Sequence, residues 1–145
     1  MADDGNARII AEFRADDGRV GGFFAGKPML LLHHRGRKSG RDYVSPTLYL
    51  PDGGDPTAMY IFATMGGAPT NPGWYYNVVS AGHAMVEVGS ETFAVTVQQL
   101  TGERRDEVYA EQARRWDDFL GYEEKTRGVR TIPVLALRRV SPPEH

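Results

Sequence analysis

Residues 29–50, MLLLHHRGRKSGRDYVSPTLYL, carry the reading on which the fold turns. The apolar run that opens this stretch suits a buried strand over residues 29–34. Gly36, Ser39 and Gly40 then suit a turn, and residues 42–50 suit a strand coming back. The pattern predicts a β-hairpin with a basic tip. A strand that returns at once beside itself needs no crossover helix, so the sheet begins antiparallel.

The same logic extends outward. Pro51, Gly53, Gly54 and Pro56 mark another turn, and AMYIFAT (58–64) is apolar enough for a strand covered on both faces. In MGGAPTNPGWYYN (65–77), Asn71 before Pro72 is a helix-start signal. A helix over about 72–81 follows, stopped by Gly82. Ala84, Val86 and Val88 alternate, as do Phe93, Val95 and Val97, with Gly89-Ser90 between them to close a second hairpin. Thr101 can cap a charged helix on which Tyr109, Ala113, Trp116 and Leu120 recur at helical spacing, with Gly121 as its stop. Residues 132–137 supply a last strand. Upstream, Ile9, Ile10 and Phe13 suit a short amphipathic helix over 6–13, broken by Gly18, Gly21 and Gly22.

The order is α-β-β-β-α-β-β-α-β. Hairpins dominate and no βαβ series occurs, which argues against Rossmann and TIM architectures. The expected fold is α+β and mainly β: a largely antiparallel sheet, closed or half-closed into a barrel, with helices over its openings. At 145 residues the chain is expected to form one domain, residues 1–145, with residues 1–20 as an N-terminal helix and arm.

Composition removes several functions. A net charge of −2 gives no global pull toward nucleic acid or an anionic membrane. The absence of cysteine excludes disulfides, thiolate metal sites and cysteine nucleophiles. His33 and His34 are neighbours on a strand and face opposite sides, His83 stands at a strand start and His145 is terminal, so no metal site is expected. Ser39, Ser45 and Ser90 lack the GxSxG context of a hydrolase nucleophile. MADDGNARIIAEFRADDG (1–18) has no apolar core for a signal peptide, and Met29–Leu32 is too short to span a bilayer. The expectation is a cytoplasmic protein, with peripheral membrane contact left open. The N-terminal helix can pack on the barrel or touch a lipid surface, and its acidic start argues against the latter.

Three features can carry chemistry. Arg35, Arg37, Lys38 and Arg41 crowd the hairpin tip, where cations and glycine-exposed N–H groups can hold a phosphate or carboxylate. The same charges also suit a solvated turn. Gly66 and Gly67 can lay bare backbone against a flat ring, or simply lead into a helix whose Trp74 and Tyr75 anchor it. Trp116, Phe119 and Tyr122 either pack helix on sheet or bring a phenol, beyond the Gly121 stop, to a pocket. On residues alone the reading is a small barrel with a basic loop and a flat, aromatic-rimmed loop, suited to an anionic planar cofactor.

NARIIAEFRADDGRVGG, PMLLLHHRGRKSGRDYVSPTLYL, MGGAPTNPGWYYNVVSAG and GYEEKTRGVRTIPVLAL, in this order, resemble the actinobacterial deazaflavin-dependent nitroreductase family. The likeness runs from Asn6 to Val140. It implies a split β-barrel that uses coenzyme F420, with FMN as the alternative flavin of such barrels. It further implies hydride transfer from the reduced deazaflavin to a small electron-poor acceptor: a quinone, a conjugated enone or lactone, or a nitroaromatic. A non-enzymatic deazaflavin-binding protein is the other reading.

Carried over by resemblance, Arg37, Lys38, Ser39 and Arg41 clasp the cofactor's phosphate and tail. Tyr43, Val44, Ser45, Pro46, Thr47 and Leu48 continue along it. Met65, Gly66, Gly67 and Ala68 lie beside the deazaflavin, and Tyr76, Asn77, Val78, Val79 and Ser80 complete its pocket. Tyr122 is the implied catalytic group, orienting the acceptor or supplying a proton, in a substrate pocket with Trp116 and Phe119. Asp42-Tyr43 stand where relatives often carry a further basic residue, and Phe119 stands where the nitroimidazole-activating member has Tyr.

Overall fold

The computed structural model describes residues 4–140, so His145 and the first three residues of the expected N-terminal arm lie outside the described residues. The elements are α1 (Asp4–Ala15), β1 (Met29–Arg35), β2 (Asp42–Pro51), β3 (Ala58–Phe62), α2 (Gly73–Ala81), β4 (His83–Val88), β5 (Glu91–Leu100), α3 (Gly102–Arg115), α4 (Asp118–Thr126) and β6 (Val134–Arg139), with 3-10 turns at Gly22–Phe24 and Met65–Gly67. The six strands close into one barrel in the order β1-β2-β3-β6-β5-β4. Every pairing is antiparallel. The barrel expected from the hairpins is present and is fully closed.

Strand alternation explains the sequence of β1. Leu30 and Leu32 join Met59, Ile61, Val86, Val95, Leu135 and Leu137 in a cluster drawn from five strands, which is the barrel interior. Met29 and Leu31 join a second cluster with Phe13 of α1, Tyr109 of α3 and Phe119 of α4, which is the layer between barrel and helices. Both faces of β1 are therefore buried, hence an unbroken apolar run. The alternation continues to His33, which meets Glu87 at 2.6 Å, and His34, which turns to Asn77 on α2 at 2.9 Å.

Helix α2 plugs one barrel mouth with Val78, 1% exposed. It ends at Gly82 in the left-handed region (φ 78°), whose N–H donates to the Val78 carbonyl at 2.8 Å. Helix α1 is tied to the barrel by Arg14, which donates to Glu87 at 2.7 and 3.1 Å.

Several local expectations are corrected. The charged helix does not run to Gly121: α3 ends at Trp116, whose N–H still reaches the Gln112 carbonyl while its backbone turns extended (φ −135°). A second helix, α4, then runs through Gly121. Glycine inside a helix costs only about 1 kcal/mol, and the hydrogen bond from the Tyr109 hydroxyl to the Phe119 carbonyl, 2.6 Å, locks the new direction. Leu120 consequently points to solvent, 51% exposed, instead of sharing the apolar stripe. Tyr122 lies within α4, not beyond a helix stop.

Pro72, not Asn71, occupies the N-cap position of α2, and no side chain caps α2 or α3 there, Thr101 included. Asn71 is engaged elsewhere, as its contacts with Arg130 and Tyr76 show. Ile132 is buried but precedes the last strand, which starts at Val134.

Candidate active site

Two clefts meet on one side of the barrel. The first, about 460 Å³, lies between the β1–β2 tip and the start of α2 and is lined by His34, Arg37, Lys38, Ser39, Tyr43, Ser45, Gly73, Trp74, Tyr76 and Asn77 among others. The second, about 340 Å³, lies between β2, the Met65 turn and α4, and is lined by Ser45, Pro46, Thr47, Leu48, Phe62, Met65, Trp74, Phe119 and Tyr122 among others. Ser45 and Trp74 belong to both, so the clefts form one trench.

The basic end is held by backbone bonds across the tip: the Gly36 N–H donates to the Arg41 carbonyl and the Gly40 N–H to that of Gly36, both at 2.8 Å. Gly40 has φ 72°, a conformation that suits glycine. The Arg37 N–H donates to Asn77 Oδ1 at 3.1 Å, and its guanidinium lies 5.2 Å from the centre of the Tyr76 ring. The tip is thus docked on α2 instead of waving in solvent. A Cβ on Gly73 would meet no atom within 4 Å, so bare backbone borders open space there.

The other end is built on strained backbone. Met65 has φ 46°, a strained value for a residue with a side chain, and leads into Gly66 and Gly67 at 65° and 83°, which glycine adopts freely. Strain such as that at Met65 persists only where surroundings hold it. Here the holding group is Arg130. Its guanidinium donates to the carbonyls of Ala63 (3.1 Å), Thr64 (2.9 Å) and Ala68 (2.9 Å) and to Asn71 Oδ1 (2.8 Å). Asn71 in turn donates to the Tyr76 hydroxyl at 3.3 Å, so the clamp reaches the basic cleft through Asn71 and Tyr76.

Tyr122 faces the second cleft with its ring edge-on to Phe119 at 5.3 Å. Burial, helped by the charge of Asp118, pushes its hydroxyl above the ordinary tyrosine range. It therefore stays protonated at neutral pH, able to donate a hydrogen bond. Burial, reinforced by His33, brings the His34 imidazole down to about 4, so it is neutral there.

Of the residues singled out from sequence, Arg37, Lys38, Ser39, Tyr43, Ser45, Tyr76 and Asn77 line the first cleft, and Ser45, Pro46, Thr47, Leu48, Met65, Phe119 and Tyr122 the second. Others lie apart. Val78 is in the barrel core, and Val79 and Ser80 are exposed further along α2. Val44 faces a separate apolar groove on the other side of β2, and Arg41 is exposed. Gly67 is buried against α4, while Ala68 contributes its carbonyl to Arg130. Trp116 packs under Lys27, 5.3 Å from its ring centre, and does not line the trench.

Sequence reasoning missed His34 as a cleft residue, the clamp of Arg130 and the shared wall of Trp74, which it assigned to packing. The alternation from Leu30 through Leu32 was the available signal for His34. Arg130 offered none.

Taken together, the trench suits an elongated ligand with one anionic end and one flat, apolar end. Residues 7–139 match the family model for F420H(2)-dependent quinone reductase. The chain is 33% identical over 138 residues to the F420H(2)-dependent quinone reductase Rv1261c of Mycobacterium tuberculosis (strain ATCC 25618 / H37Rv), covering 89% of this chain and 86% of that one. Among solved structures it is similar to the F420-H2 dependent reductase FDR-A (TM-score 0.66, 28% identity, 77% of this chain and 94% of that one). It is also similar to a chain described as a domain-swapped dimer (TM-score 0.67, 26% identity, 92% and 95% covered). No helix among the described residues is long and apolar enough to cross a membrane.

Proposed function

The chain belongs to the F420H(2)-dependent quinone reductase family, and from that premise we propose that it transfers a hydride from reduced coenzyme F420 to a quinone, in a single domain that carries the whole site. The observation that carries this reading is the trench itself, basic at one end and apolar at the other. Its donor set fits the cofactor. Arg37, Lys38 and Ser39 would hold the phosphate and acidic tail, with Tyr76 and Asn77 keeping the tip in place. Trp74, Leu48 and the Met65 turn would border the planar head group. The family favours the deazaflavin over FMN.

When bound, reduced coenzyme F420 supplies the hydride. The chain supplies position and polarity. As a quinone is reduced, negative charge develops on its oxygens, and a fixed donor lowers the barrier by meeting that charge. The Tyr122 hydroxyl, held protonated by burial, is proposed as that donor. Phe62 and Phe119 beside it provide the apolar wall against which a quinone ring packs.

Two outcomes test this. Fluorescence titration should show coenzyme F420 binding at micromolar concentration, and reduced cofactor should be oxidised on addition of menadione. No binding at tens of micromolar cofactor sinks the reading. Binding with no oxidation across a panel of quinones and enones would point to a carrier protein instead. Arg37→Ala or Lys38→Ala should each weaken binding about tenfold at low salt, and the deficit should shrink as ionic strength rises.

Tyr122→Phe should lower kcat by about 10²-fold with cofactor affinity kept within about twofold. Unchanged turnover would reduce Tyr122 to pocket lining.

A further inference from the structure

We propose that His34 is a positioning residue that makes Ser45 a hydrogen-bond donor to the bound cofactor at the junction of the two clefts. The inference deepens the proposed function and rests on it for the identity of the ligand. It follows from the direction of three hydrogen bonds.

The Arg37 N–H can only donate, and it meets Asn77 Oδ1 at 3.1 Å. That contact fixes the amide: Asn77 Nδ2, which also can only donate, faces His34 Nδ1 at 2.9 Å. Nδ1 must therefore present its lone pair. In a neutral imidazole the hydrogen then sits on Nε2, which lies 2.9 Å from Ser45 Oγ. Ser45 Oγ accepts that hydrogen, and its own hydroxyl hydrogen has no acceptor among the described residues.

Ser45 lines both clefts, so the free hydrogen belongs to the trench, where an oxygen acceptor of the ligand can take it. The ring cannot easily turn away, because it stacks on Tyr43 (centroids 5.5 Å apart, planes 22° apart). The relay runs from the backbone of the basic tip, through Asn77 and His34, to a hydroxyl at the far side of the cleft. Docking of the tip on α2 and the direction of the Ser45 donor are thus one event.

The charged and titratable groups around the ring are His33 and Arg35 on its own strand, Asp42 and Tyr43 on β2, Arg37 and Lys38 at the tip, Tyr76 on α2 and His83 on β4. None of them receives a hydrogen from Nδ1 or Nε2, so the relay geometry and burial together select one neutral tautomer. That tautomer should hold across the neutral range, given an imidazole that protonates only near 4.

The relay can be read without any cofactor. Long-range 1H–15N spectra of the ligand-free protein should show His34 Nε2 protonated and Nδ1 bare between about pH 6 and 9. The opposite tautomer, or a mixture, overturns the proposal whether or not the protein binds coenzyme F420. In titrations with coenzyme F420, Ser45→Ala and His34→Phe should each weaken binding about three- to tenfold. The double variant should lose no more than Ser45→Ala alone, since His34 acts only by aiming that hydroxyl. Ser45→Thr, which keeps a hydroxyl, should restore most of the affinity.

Asn77→Asp separates direction from mere packing. Its carboxylate still accepts the Arg37 N–H but demands a hydrogen from Nδ1. Protonated His34 satisfies this while Nε2–H still donates to Ser45, so the donor to the ligand survives at low pH. Once His34 is neutral, its hydrogen stays on Nδ1, Nε2 turns acceptor, and Ser45 is drawn away from the ligand. Affinity in this variant should therefore fall as pH rises through the raised His34 pKa, a step the parent profile should lack. A parallel profile for variant and parent refutes the relay. Wild-type protein that binds no cofactor removes the ligand half of the proposal, leaving the tautomer result to decide the relay.

Discussion

Arg130→Met is expected to destabilise the protein by about 2–4 kcal/mol and to weaken both cofactor binding and turnover. The guanidinium makes four hydrogen bonds, three to backbone carbonyls and one to Asn71. A thioether of similar length fills part of the space and satisfies none of them. The carbonyls of Ala63 and Ala68 belong to a loop with no strand neighbour to replace the lost donor. Partial exposure of Arg130 lets water reach some of the carbonyls left without a donor, which keeps the cost well below the sum of four lost bonds.

The same substitution frees a backbone that has no reason to stay where it is. With Met65 held at φ 46° ahead of two freely turning glycines, the turn relaxes once its holding group goes, and Asn71 loses the partner that aligns it with Tyr76. Both ends of the trench should loosen together. Urea unfolding and cofactor titration on the same variant check this; a midpoint shift corresponding to less than about 0.5 kcal/mol would show that the clamp holds nothing. Arg130→Lys, which can reach only part of the acceptor set, should fall between parent and Met.

These two outcomes bear on what a sequence can reveal. The barrel was legible because local rules sufficed: an apolar run covered on both faces, glycine-bearing tips at residues 36–40 and 89–90, and period-two alternation in β4 and β5. The closure was less so. The β1–β4 and β3–β6 pairings join segments dozens of residues apart, and no turn chemistry announces them. The break at Trp116 was hidden because apolar residues continue at helical spacing across it, and a glycine five residues later offered a more conventional stop.

The site divides in the same way. The basic tip and the glycine pair were visible as composition, and the resemblance to a family gave them roles. Asn77, His34 and Arg130 act through partners on other elements, at sequence distances of 40 to 67 residues. Such residues look like ordinary helix, strand and loop positions until the chain is folded. What the structure adds is therefore the supporting shell of the trench more than its lining.

Gly67→Ala is the second substitution expected to act strongly, and it tests whether the platform and Tyr122 are mechanically joined. Gly67 has φ 83°, and a Cβ there would lie 2.8 Å from Lys125 Cδ, 3.3 Å from Lys125 Cβ and 3.3 Å from Tyr122 Cα. The Lys125 stem can swing aside; the backbone of Tyr122 cannot without moving α4. The left-handed conformation costs about 1–2 kcal/mol for alanine, and overpacking adds about 1–3 kcal/mol. Gly66→Ala supplies the control for conformation alone, since its φ is 65° and nothing stands within 4 Å of its Cβ. Gly67→Ala should therefore be the less stable of the two by about 1–3 kcal/mol in urea unfolding. It should also lower kcat more than it weakens cofactor binding, because the displaced group is the helix that carries Tyr122, whereas the basic tip lies elsewhere. Equal unfolding midpoints for the two variants would mean that α4 yields freely at this contact. The Met65 turn would then position a ligand without positioning the tyrosine that faces it.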